Sequence, residues 1–184
     1  MIPDAQGASA QIADIEAVRR AVRQSNFYRL ASVIVILWGG VTAVGNLASH
    51  AWPHSAGSIW ICLDVIGVLA TSALGLNIRG RGYPRAFDWR TPVAFALFFG
   101  FGFLWSMGLG RFGPRELSVF WPTPFMFGYA VAGLWLGAAF VVLGVGVAGL
   151  VTLGYFFGGP WLDIYLAPFN GGGLVAAGLW MRRA

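Results

Sequence analysis

Asp64 is the residue in this chain best placed to do chemistry, because it is an acid inside an otherwise uncharged apolar stretch, Ser58 to Ile78. Six residues into a helical span, it lies about 9 Å below the span's first end. A carboxylate at that depth is costly unless it is paired, hydrated or neutral, and such residues mark ion, proton or ligand sites. Three other polar side chains approach the same depth from the chain just before it: Asn46, His50 and His54. Arg111, at the corresponding end of the next span, supplies a cation. Asp64, Asn46, His50, His54 and Arg111 therefore form the candidate ligand or proton site. A structural Asp64–Arg111 bond is the competing reading.

His50 and His54 are four residues apart, a spacing that puts two rings on one helix face. With Asp64 they would make three ligands suited to zinc or copper. Pro53 between them argues for a turn instead, so no metal and no cofactor is expected. The lone cysteine, Cys62, excludes an intramolecular disulfide and a cysteine cluster. Asp163 and Glu116 read as solvated acids near a membrane surface. Asn170 before Gly171-Gly172-Gly173 has the look of a broken helix, of the kind that exposes backbone groups in transporters. The glycines lack the lysine and Ser/Thr of a phosphate-binding loop. Catalysis needs several convergent acids, bases or ligands, and among seven acidic residues Asp64 alone falls within a span. The expectation is a protein that is not an enzyme.

The elements that position these residues are membrane spans. Charged residues are 10% of the chain and hydrophobic ones 58%, against about 25% charged in soluble domains. Too few charges remain to build a water-facing surface. The apolar stretches run to about twenty residues, enough to cross about 30 Å of hydrocarbon. The fold class expected is all-α: a polytopic bundle of six transmembrane helices with a short N-terminal amphipathic helix. Residues 1–29 form a cytoplasmic segment, and Ile12, Ile15, Val18 and Val22 mark the apolar face of its helix. That helix lies on the membrane surface or extends the first span. Residues 30–184 form a single bundle with spans at about 30–48, 58–78, 91–110, 120–136, 138–157 and 166–181. Acids in the first thirty residues argue for an uncleaved anchor over a signal peptide.

From Val119 to Pro160 there is no charged residue, too much for one helix of ordinary tilt. Two helices with a turn near Gly137 resolve this, and Gly144 and Gly146 offer a competing turn. Trp121-Pro122-Thr123-Pro124-Phe125 reads as an interfacial helix start, with its prolines in the first turn. Trp161 to Tyr165 reads as an interfacial segment. Small residues recur at helical spacing in Gly102/Ser106/Gly110, Gly133/Gly137 and Gly144/Ala148. Faces of this kind let helix backbones approach closely.

All basic residues are arginine, and ten of the twelve fall in residues 19–29, 79–90 and 182–183. With six spans these three segments share one face, leaving Arg111 and Arg115 on the other. The positive-inside rule then puts both chain ends in the cytoplasm. The loop with Arg79, Arg81, Arg85 and Arg90 meets lipid headgroups or a partner, and nucleic acid is not expected as one. A bacterial inner membrane is the expected location, with the bilayer as solvent. A membrane or cytoplasmic protein partner fits the pattern, and a homo-oligomer is allowed but not indicated. The function expected is that of an accessory, sensory or scaffolding subunit without catalytic machinery. The alternative is a small transporter or ligand-binding protein that uses Asp64 as an intramembrane polar site.

Overall fold

The computed structural model describes residues 5–79 and 89–182, and those residues form helices joined by short turns. Five helices are long and apolar enough to cross a membrane: Arg29–Ala51, Pro53–Leu76, Pro92–Leu109, Pro114–Leu136 and Ala138–Phe157. Further helices accompany them. The chain is an all-α integral membrane protein.

Helix α1 runs from Ala5 to Ala51 without a break, 47 residues and about 70 Å. The expected amphipathic helix is therefore the first part of the same rod as the first span. The reason is local: no glycine or proline interrupts the sequence between Gly7 and Gly39, so nothing stops the helix at the membrane surface. Pro53 ends α1 by forcing Trp52 out of helical geometry, at φ −132° and ψ 69°. A 3₁₀ turn, Pro53–Ser55, leads into α2, Ala56–Arg79. In the arginine loop, Arg81 and Arg85 lie outside the described residues, while Arg79 closes α2 and Arg90 opens α3.

Helix α3, Arg90–Phe103, passes into a π-helical turn at Leu104–Leu109. Arg111, at φ +48°, then turns the chain. Helix α4 begins at Pro114, earlier than position 120, and spans Pro114–Phe120. It meets α5, Pro122–Leu136, through Trp121, itself in helical geometry. The Trp-Pro-Thr-Pro stretch is thus a joint within a span, not an interfacial start. Pro124 cannot donate to the carbonyl of Phe120, and the Thr123 hydroxyl donates to it instead at 2.8 Å.

Gly137, at φ +124°, makes the turn to α6, Ala138–Phe157. That angle is closed to ordinary L-residues, and glycine there folds the uncharged stretch into a hairpin. A 3₁₀ turn, Gly159–Trp161, precedes α7, Leu162–Leu166. A π-helical turn, Ala167–Gly172, and α8, Gly173–Met181, continue it. Trp161 to Tyr165 is therefore not a separate interfacial segment: it leads into the last helical rod, 162–181. The π turn sits where Pro168 and three consecutive glycines would weaken an α-helix, and its wider winding accommodates the proline.

The core lies among α1, α5, α6 and the last rod. Val35, Met126, Phe140, Leu143, Val147, Val151, Leu166 and Leu174 fill it. The last rod runs antiparallel to α1. A Cβ on Gly171 would stand 2.6 Å from the Ala43 amide nitrogen, and one on Gly178 would stand 2.8 Å from the Ser32 carbonyl. The α5–α6 hairpin is as tight, since a Cβ on Gly133 would meet the Val141 amide at 2.5 Å. Helices α2 and α3 add no apolar side chain to this core among the described residues. They attach by aromatic rings laid on glycines: Trp60 over Gly45, Trp38 over Gly67 and Trp121 over Gly102. Phe98, Phe99 and Phe103 complete the cluster around Trp121 and Phe125.

These contacts separate glycines that are required from glycines that are not. A Cβ at Gly144 would strike the Met126 carbonyl and stand 2.5 Å from the Ala130 amide, whereas one at Gly146 would meet nothing within 4 Å. Gly144→Ala should therefore destabilise the protein by about 1–3 kcal/mol through overpacking. Gly146→Ala, two residues away on α6, should be neutral or stabilise by up to about 1 kcal/mol. Unfolding of both variants in a detergent titration measures the difference.

Candidate functional site

The structure does not gather the five candidate residues into one site. Asp64 lies on an exposed face of α2, whose only close packing is on α1 and the turn between them. No ion pair joins it to Arg111, which is exposed at the end of α3. The two apolar grooves described below are both lined without it. Asn46 is buried in α1 and donates from Nδ2 to the Thr42 carbonyl at 2.7 Å. His54 is exposed in the 3₁₀ turn. No group of three metal-ligating side chains occurs among the described residues.

His50 instead turns toward the last rod. The positions Ser32, Ile36, Gly39, Ala43, Asn46 and His50 repeat at steps of three and four, so they form one stripe of α1. Gly178, Val175 and Gly171 pack on its inner part. At the far end the His50 ring stacks on Trp161, with centroids 5.6 Å apart and planes inclined by 26°. Burial holds the nearby Asp163 carboxyl above the ordinary carboxylate range, and the charge of His50 acts in the opposite direction. The pair is a contact between α1 and α7, not the His50–His54–Asp64 arrangement that the spacing suggested.

Three buried polar atoms lack a hydrogen-bond partner: Ser49 Oγ, Ser106 Oγ and Asn170 Oδ1. Ser106 and Asn170 each sit in one of the two π-helical turns. Most other membrane-depth donors are satisfied locally. Thr42 donates to the carbonyls of Trp38 and Gly39, Thr152 to that of Ala148, and Trp38 Nε1 to Thr71 Oγ1 at 3.1 Å across the α1–α2 contact.

Among the small residues, Gly102 and Ser106 are buried on α3, Gly133 and Gly144 are buried in the α5–α6 hairpin, and Ala148 packs against the core. Two have other roles. Gly137 is the turn itself, and Gly110 is exposed at the end of the π turn, with the Phe112 ring against it.

Sequence reasoning missed Arg115. Its guanidinium donates to the Tyr155 carbonyl at 2.7 Å and lies 5.3 Å from the Tyr155 ring centroid. Tyr155 is in the last turn of α6, where carbonyls lack helical donors and the helix dipole favours a cation. Arg115 thus clamps the start of α4 to the end of α6. The available signal was an arginine in the first turn of one helix and an aromatic residue near the end of its antiparallel neighbour.

No protein family, curated protein or solved structure matches the chain. What the geometry describes is a small all-helical membrane protein in which no metal-binding cluster is formed among the described residues.

Arg115→Ala should cost about 1–2 kcal/mol, the range for one charge-assisted hydrogen bond at an exposed position. Arg115→Lys should recover part of it, because an ammonium can reach the carbonyl but stacks less well on the ring. Thermal unfolding in a fixed detergent, with Tyr155→Leu as the third variant, reads the coupling.

Proposed function

We propose that this protein is a six-span accessory subunit of a bacterial inner-membrane assembly, with no catalytic role of its own. Its binding partner is another membrane helix that packs on the open face of α2. One observation carries the reading: Asp64 is an acid at membrane depth, exposed on a peripheral helix and joined to no cation in the chain. A carboxylate facing lipid costs about 2.5–3.5 kcal/mol at a helix centre. A neighbouring helix that brings a donor removes that cost. Transport is less well supported, since neither groove of the bundle is lined by Asp64.

The sixth crossing is the stretch of about Leu166 to Met181, which the π turn keeps from counting as one long helix. Its direction supports placing both chain ends in the cytoplasm. Arg182 Nε donates to Ser32 Oγ at 3.4 Å, and Ser32 donates to the Arg29 carbonyl at 2.9 Å. The last rod thus returns to the end of the bundle where the first span begins. A cysteine placed at Ala184, in a chain with Cys62 replaced by Ala, should resist a membrane-impermeant thiol reagent in intact cells and react after permeabilisation. Labelling in intact cells would refute the orientation.

The partner reading is tested by photo-crosslinking side chains at positions 61 and 68, which flank Asp64 on the exposed side of α2. A discrete protein adduct is expected at both, lost in Asp64→Leu, and absent from a control at position 134 on exposed α5. The purified Asp64→Leu monomer should be at least as stable as the parent, because no contact is removed. Adducts to lipid alone would end the proposal. Proton or ion flux in vesicles that disappears in Asp64→Asn would replace it with transport.

A further inference from the structure

We propose that the groove between α1 and the last rod binds an anionic phospholipid, with an acyl chain along the groove and the phosphate held by Arg29 and Arg182. The inference is independent of the partner assigned to α2. The groove has a volume of about 620 Å³ and an apolar lining that includes Ala43, Leu47, Pro168, Gly172, Ala176 and Leu179. It follows the last rod from Ile164 to Leu179, about 22 Å at helical rise. That is a length suited to an alkyl chain, and the lining offers an occupant no charged group.

Charge complementarity at one end decides the occupant. On α1 the groove side continues from Leu47 and Ala43 through Gly40, Ile36 and Val33 to Arg29, at steps of three and four residues. On the last rod it continues from Gly172, Val175 and Leu179 to Arg182 at the same spacing. Both arginines are exposed, and neither pairs with an acid among the described residues. Ser32 stands between them, bonded to the Arg29 carbonyl and to the Arg182 guanidinium. Two unpaired guanidiniums at the mouth of an apolar groove match a phosphodiester joined to a hydrocarbon chain. A partner helix would fill the groove but would leave both cations without counter-charge. The groove between α6 and α8, of about 200 Å³, carries no charged residue in its lining.

The test uses the purified full chain in mixed micelles with equal phosphatidylglycerol and phosphatidylcholine, and counts retained lipid by native mass spectrometry. The parent should retain phosphatidylglycerol in preference. Arg29→Gln with Arg182→Gln should cut that preference by roughly thirtyfold, the effect of removing two arginines from a charged lipid surface. Arg115→Gln, at the other end of the bundle, should leave it unchanged. Gly172→Phe should also abolish retention, since a side chain there meets nothing within 4 Å and grows into the groove. Equal retention of the two lipids by the parent overturns the proposal, as does full retention by Gly172→Phe. Displacement of the lipid by millimolar glycerol phosphate would reassign the arginine pair to a soluble phosphoester. If the double glutamine variant does not fold, Arg29→Lys with Arg182→Lys takes its place and should keep the preference; its loss there counts against the proposal.

Discussion

Close approach of one backbone to another is the constraint on which this bundle depends. Water drives soluble helices together by burying apolar surface, but lipid tails are as apolar as leucine, so packing contacts must supply the attraction. Those contacts weaken steeply with distance. Gly39 and Gly171 meet across α1 and the last rod, and Gly133 and Gly144 meet α6 and α5 backbone across the hairpin. At each of these positions a methyl group would force the helices apart. The glycine stripes are therefore the means by which the central four elements cohere. Peripheral helices use a second device, a tryptophan ring spread over a glycine. The flat ring recovers contact area where two backbones do not touch.

Hydrogen bonding imposes the second demand, because a lipid-facing polar group has no water to turn to. The hydroxyls of Ser32, Thr42 and Thr152, together with the Asn46 amide, return their donors to carbonyls of the same helix. Thr123 does more, taking the carbonyl that Pro124 leaves without a donor. The two π-helical turns stand apart, since Ser106 and Asn170 within them remain unsatisfied.

Charge and apolar length made the membrane class legible from residues alone, and they located α6 to the residue, at 138–157. Gly137 was also readable, because an uncharged stretch that is too long must turn and glycine is the residue that turns most freely. The continuity of α1 was harder to read. A change from polar to apolar composition looks like a boundary, but composition does not end a helix; glycine, proline and capping residues do. The same point explains α4, where Pro114 starts a helix inside a stretch whose arginine and glutamate suggested a loop. Candidate site residues were the least legible. Depth can be counted along a chain, so Asp64, Asn46 and His50 were correctly judged to be near one level. Direction around the bundle cannot be counted, because it depends on which helices become neighbours. Asn46 and His50 face the last rod, and Asp64 faces away from the core.

That difference in direction has an energetic consequence. An amide, an indole or a hydroxyl carries its own donor and can spend it on a carbonyl one turn away, which is how Asn46 remains buried without a partner from another helix. An ionised carboxylate has only acceptors. Within α2 the backbone N–H groups are already committed to the helix, so none is free to meet it. Asp64 must find its donor outside α2, and α1 presents rings and small residues there: Trp38, whose N–H is committed to Thr71, and Gly45 beneath Trp60. The bundle is thus complete with respect to its packing and incomplete with respect to one charge. A fold held together by backbone proximity can tolerate such a site, because removing or covering Asp64 disturbs none of the contacts on which its cohesion rests.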